Sequence, residues 1–129
     1  MPGALLDTSV IIAGPGHASG LPVSAAISII TFGELCAGVA LARDDETRAR
    51  RAARLTQVKR VFEPLVVDDP VAERYGQLLG IARSQSLTVK ATDLLILATA
   101  LAHDRELHTL DRRQAALGRA AKMKVESPG

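Results

Sequence analysis

The chain has no tryptophan, one tyrosine and two phenylalanines among 129 residues, too few rings to build a base-stacking platform of the RRM or OB type. Any nucleic acid it binds must be held by charge and metal. Its single cysteine, Cys36, excludes an intramolecular disulfide and a thiolate zinc cluster, and fits a reducing, cytoplasmic home. Long apolar runs are also missing. The longest, residues 94–102, falls far short of the roughly 20 residues that span a bilayer. Asp7 interrupts the apolar start, which speaks against a signal peptide. The expectation is a soluble, cytoplasmic protein without a membrane partner.

What is present is a 47% hydrophobic chain with a formal net charge of +2, long enough for one domain (1–129) with a proper core. Such a charge permits nucleic acid without demanding it. The positive excess is local: Arg43, Arg48, Arg50, Arg51, Arg54, Lys59 and Arg60 stand against Asp44, Asp45 and Glu46. That segment reads as a solvated helix face or a basic guide.

Short apolar runs alternate with helical stretches, the pattern of an α/β fold with a central parallel sheet of four to five strands flanked by helices. Strands are expected at residues 4–6, 26–30, 61–67 and 107–110, with an edge strand at Lys124-Val125. The loop 14–20 is turn chemistry without the Lys-Ser/Thr ending of a P-loop. Thr31 opens a helix whose apolar stripe is Phe32, Leu35, Cys36, Val39 and Ala40, which places Cys36 in the core and turns Glu34 toward solvent or a cleft. A charged helix covers residues 45–60. Asp69-Pro70 starts the next one as N-cap and N1. Residues 94–102, apolar nearly all round, form the most buried helix.

Four acids fall at one edge of this scheme. Asp7 and Asp111 end strands, Glu34 lies in the first turn of the helix after one, and Asp93 opens the apolar helix. A helix of about 11 residues runs ~16 Å down and a four-residue strand returns ~13 Å, so Asp93 and Asp111 finish together. Open α/β sheets bind ligands at the carboxyl ends of their strands. Close carboxylates repel by ~4 kcal/mol per pair at an effective dielectric of 20, and a divalent cation relieves that repulsion. Oxygen-only ligands favour Mg²⁺ or Mn²⁺ over zinc. A zinc site from His17, His103 and His108 lacks suitable spacing and any supporting thiolate. A bound Mg²⁺ would acidify a water, align it with a phosphorus and neutralise the leaving oxyanion. Each acid also has a purely structural reading: a capping box for Thr31 to Glu34, N-caps for Asp93 and Asp111, and an Asx turn from Asp7 into Thr8-Ser9.

The segments Leu5-Leu6-Asp7-Thr8-Ser9, Thr31-Phe32-Gly33-Glu34-Leu35, Thr92-Asp93-Leu94-Leu95-Ile96-Leu97-Ala98 and Thr109-Leu110-Asp111, in this order, resemble a PIN-domain protein, specifically the VapC toxin of a bacterial VapBC toxin–antitoxin pair. The resemblance runs from Ala4 to Asp111. It implies a three-layer PIN-like fold and a Mg²⁺- or Mn²⁺-dependent endoribonuclease leaving a 5′-phosphate and a 3′-hydroxyl. It further implies a homodimer, inhibited by a VapB antitoxin lying across the active groove. Asp7, Glu34 and Asp93 match the family's three principal acids, and Asp111 matches the more variable fourth. Thr8, Ser9 and Thr31 are candidates for positioning water or a ligand carboxylate, with turn and capping roles set beside that for Ser9 and Thr31. Arg112 and Arg113 could contact phosphate or simply begin a solvated helix, and Gln114 follows them without the aromatic residue often found a few positions on. Under the same resemblance the segment 43–60 guides RNA or docks the antitoxin.

Two other functions compete. A receiver-like phosphotransfer domain would use Asp68-Asp69, but that pair leads straight into Pro70 and suits a helix cap. A catalytically silent PIN-like binding module would be expected to have lost an acid, and all four are kept.

Overall fold

The structure is a computed structural model that describes residues 3–14 and 24–127. Six helices are found among the described residues: α1 (Thr8–Ala13), α2 (Ile29–Ala40), α3 (Asp45–Val61), α4 (Asp69–Ser84), α5 (Ala91–Ala102) and α6 (Arg112–Ala120). Three strands, β1 (Ala4–Leu6), β2 (Glu106–His108) and β3 (Val125–Glu126), pair in parallel in the order β1-β2-β3, with Ala4 opposite Glu106 and Leu6 opposite His108. The loop 14–20 lies almost wholly outside the described residues, as does His17.

On the free side of β1 the sheet continues as isolated parallel bridges, Leu5 to Ala26 and Ser28 to Leu65. The strands expected at 26–30 and 61–67 are therefore reduced to bridged residues. The first is cut short because α2 starts at Ile29, where the Ser28 hydroxyl accepts from the Ile30 amide at 3.0 Å. The Thr31 capping box thus does not form, and Glu34 sits in the second turn. The other expected strand loses its start to α3, which runs through Val61, and Pro64 then brings no amide hydrogen to a ladder. The strand expected at 107–110 lies slightly earlier, at Glu106–His108. Asp68, not Asp69, caps α4 by accepting from the Val71 amide at 3.2 Å, leaving Asp69 and Pro70 inside the first turn.

Layering follows from the period-two alternation of β1. Ala4 and Leu6 face Ile27, Leu35 and Val58 of the α2–α3 side. Leu5 faces the other way, onto Ile96 and Ala100 of α5. Behind α5, Leu94, Leu97 and Ala98 pack with Val71, Leu78 and Ala82 of α4, Leu107 of β2 and Leu117 of α6. Six residues of α5 are buried, as its all-round apolar sequence predicts. Cys36 is half-buried at the margin of the stripe. A Cβ on Gly118 would come within 2.8 Å of a Val125 methyl, so glycine lets β3 lie against α6. The helix that carries Asp93 is thus fixed on both flanks, while β1 and β2 deliver their own acids to the same edge.

Candidate active site

Asp7 follows β1 directly and is 4% exposed. Burying a carboxylate is costly unless donors meet it, and two hydroxyls do. Ser9 Oγ and Thr109 Oγ1 both donate to Asp7 Oδ2, at 2.7 and 2.8 Å. Each hydroxyl is itself fixed from behind: the Leu110 amide donates to Ser9 Oγ at 2.9 Å and the Asp111 amide to Thr109 Oγ1 at 3.0 Å. Asp7 Oδ1 receives no hydrogen bond among the described residues and remains available to a ligand. Asp111 is the N-cap of α6, its Oδ1 accepting from the amides of Arg113 and Gln114. One carboxylate oxygen serves the helix and the other is left over.

Glu34 is half-buried, and its Oε1 accepts from Thr8 Oγ1 at 2.6 Å. Thr8 Oγ1 also lies 3.0 Å from the fully buried Thr31 Oγ1. Thr31 therefore supports Glu34 through Thr8 rather than capping α2, and Ser9 orients Asp7 rather than closing a turn. Asp93 occupies the third position of α5, inside the helix, and Lys90 is the cap residue. An acid in the first turn is favoured by the helix dipole. Burial first, then the charges of Asp7, Asp111 and Glu34, nonetheless push its carboxyl up to about 6, with Lys90 pulling the other way. The four acids thus share one electrostatic field, reached from four separate chain segments.

They do not close into a cage. No group of three or more His, Cys, Asp or Glu side chains among the described residues is disposed to hold an ion unaided. His108 is engaged with Glu106 at 2.9 Å. An open, oxygen-only edge of this kind fits Mg²⁺ or Mn²⁺, since Mg²⁺ is commonly held by one or two carboxylates and keeps several waters.

Two cavities adjoin the acids. One, of about 360 Å³, is bounded by Asp93, Asp111, Lys90 and the exposed Arg112 and Arg113. The other, about 190 Å³, is bounded by Glu34, Ile12, Gly38, Arg51 and Arg54.

Sequence reasoning missed Thr109, which joins β1 to the start of α6 through the Asp7 contact. It also missed Gln114, 1% exposed with neither its Oε1 nor its Nε2 hydrogen-bonded among the described residues. Spacing carried a signal for the second: Gln114, Leu117, Gly118 and Ala121 fall on one helical face. No helix among the described residues is long and apolar enough to cross a membrane.

The chain is similar to known proteins along most of its length. The PIN domain family model matches residues 4–120. Ribonuclease VapC4 of Mycobacterium tuberculosis is 37% identical over 120 residues, spanning 88% of this chain and 90% of that protein. The crystal structure of VapBC-5, a member of the VapBC family of toxin–antitoxin systems from the same organism, superposes with a TM-score of 0.87 at 33% identity, covering 97% of this chain and 98% of that one. FitAcB from Neisseria gonorrhoeae superposes with a TM-score of 0.81 at 30% identity, covering 97% of both chains. The chain belongs to the PIN-domain family and is of the VapC type.

Proposed function

We propose that the chain is a metal-dependent endoribonuclease, the toxin of a type II toxin–antitoxin pair, acting in the cytoplasm to arrest growth until a VapB-type antitoxin covers its active edge. The observation that carries this reading is the meeting of four acids from four separate chain segments, Asp93 facing the charges of Asp7, Asp111 and Glu34. Carboxylates that share one field, with the Asp7 Oδ1 and one Asp111 oxygen left over, are an arrangement suited to a cation. The names of the relatives support RNA as substrate and an antitoxin as partner.

Asp7, Glu34, Asp93 and Asp111 would hold Mg²⁺ or Mn²⁺, with Asp111 contributing least because capping already occupies one of its oxygens. The ion supplies positive charge that acidifies an attacking water and neutralises the departing oxygen. The chain's own part is orientation. Ser9 and Thr109 fix the plane of the Asp7 carboxylate, while Thr8, backed by Thr31, fixes Glu34. Such outer-shell hydrogen bonds keep ligands in place before the ion arrives. Arg112 and Arg113 stand beside Asp93 and Asp111 and contact substrate phosphate. The protein works as a homodimer.

The test is purified protein on RNA. Cleavage leaving a 5′-phosphate and a 3′-hydroxyl should require added Mg²⁺ or Mn²⁺, stop on chelation and resume on resupply. Cleavage that persists in excess chelator would sink the reading.

A further inference from the structure

An edge of four carboxylates repels the polyanion it is meant to cut. Even one divalent cation leaves the four acids with a negative excess, so substrate must be drawn in by charge outside the acids themselves. Sheet order says where that charge can lie. Along the carboxyl edge, Glu34 follows the bridged segment on one side of β1, Asp7 follows β1, and Asp111 follows β2 on the other side. The two cavities open at the two ends of this line.

Each end is basic. Beyond Asp93 and Asp111 the cavity is bounded by Lys90, Arg112 and Arg113, and Arg113 also borders a second hollow of about 230 Å³ with Ser86 and Thr88. Beyond Glu34 the cavity is bounded by Arg51 and Arg54 of α3, one helical turn apart. Arg51 is fixed there by donating to the Gly38 carbonyl at 2.7 Å. Arg54 makes no hydrogen bond or ion pair among the described residues, although it is half-buried. The same cavity is bounded by Ile12, 53% exposed, an apolar surface against which a ribose or base can rest.

We infer that the cavities form a two-sided phosphate clamp, in which Arg54 and Lys90 hold RNA phosphates on opposite sides of the linkage being cut. Arg51 reinforces the first side, and Arg112 and Arg113 the second. The inference rests on the ribonuclease reading. A strand so held must be single, because its backbone has to lie along the acids with both flanking phosphates turned to the protein. Base identity is read weakly, since the contacts are to backbone and to one aliphatic side chain. Arg54 and Lys90 are binding residues that touch substrate phosphate and act on affinity, and the basic excess of the segment 43–60 finds its use beside Glu34.

The test uses a short single-stranded RNA that the wild-type protein cleaves at one mapped bond. Variants Arg54→Ala and Lys90→Ala should each raise KM about three- to fivefold with kcat little changed. Each should also lower the slope of log affinity against log salt by roughly 0.7. Neutral methylphosphonate linkages, placed one step to either side of the cleaved bond, decide the geometry. Neutralising one side should remove the effect of Arg54→Ala alone, and neutralising the other the effect of Lys90→Ala alone. An unchanged KM in both variants, or an equal response to both linkages, overturns the clamp while cleavage itself stands. Variants that keep KM but lose affinity for a VapB-type antitoxin overturn it in favour of protein docking. Failure of the wild-type protein to cleave RNA overturns the ribonuclease reading, and the clamp with it.

Discussion

Asp7 and Asp93 stand in the same acidic edge and are treated oppositely by the fold. Asp7 is nearly inaccessible, yet two hydroxyls donate to one of its oxygens. Asp93 is more open, but no donor among the described residues offsets its burial, and that burial first, then the charges of Asp7, Asp111 and Glu34, push its carboxyl up to about 6. The first is a fixed anchor whose charge is met by the protein. The second is a group whose charge is met by like charges. Burial sets the cost of a carboxylate together with the donors and charges that face it.

The comparison is broken or sharpened by substitution. Asp7→Asn and Asp93→Asn should both reduce RNA cleavage on the order of a thousandfold, with circular dichroism unchanged. They should differ in metal-free stability: Asp93→Asn removes a repelled charge and raises Tm at neutral pH, whereas Asp7→Asn disturbs the hydroxyl pair and lowers it. Equal shifts in the two variants would erase the distinction drawn above.

Thr109→Val keeps the side chain's shape but removes a donor to Asp7 and the acceptor for the Asp111 amide. A loss of about 1–3 kcal/mol in urea unfolding is expected, together with a ten- to hundredfold drop in cleavage. Wild-type activity and stability in this variant would show that Ser9 alone suffices to hold Asp7.

The pH dependence has a definite sign. A folded carboxyl raised from 3.8 to about 6 binds its proton more tightly than the unfolded chain does, so its relative stabilisation is complete below about pH 4 and is lost as pH rises through about 6. The Tm of metal-free protein should carry this downward contribution between those values. Asp93→Asn should remove it, and saturating Mg²⁺ should reverse it at neutral pH. A contribution of the same size in wild type and Asp93→Asn would assign it elsewhere.

The smallest effect concerns Gln114, whose buried amide has no partner among the described residues. Gln114→Met should raise stability by about 1 kcal/mol, read as a higher urea midpoint. A destabilised variant would mean that the amide is met by a buried water.

Much of this edge was legible in the sequence, and the failures have a common cause. The common edge of Asp93 and Asp111 follows from counting rises along a helix and a strand, and Asp7 from the end of the first strand, because those elements are local. The boundaries of α2 do not follow in this way, since Thr31 offers the same hydroxyl chemistry as Ser28 and only the bridge from Ser28 to Leu65 decides where the extended backbone stops. Thr109 was invisible for a related reason. Its partner Asp7 is 102 positions away, and nothing in Thr-Leu-Asp marks the threonine as a tie between two strands. The roles of Thr8 and Thr31 likewise depend on α1 meeting α2. Arg54 looked like one of many arginines on a charged helix until Glu34 was found across a cavity from it.

The parallel pairing of β1 with β2 joins the first residues of the chain to residues 106–108. Parallel partners so far apart in sequence pair late, because a long loop must close before any contact rewards it. For a nuclease made inside the cell it could damage, this is a built-in delay. A ribosome that stalls or a message that ends before Thr109 releases a chain whose Asp7 lacks one of its two hydroxyl donors and whose fourth acid does not exist. The acidic edge is assembled only once Asp111 has been made, more than a hundred residues after Asp7.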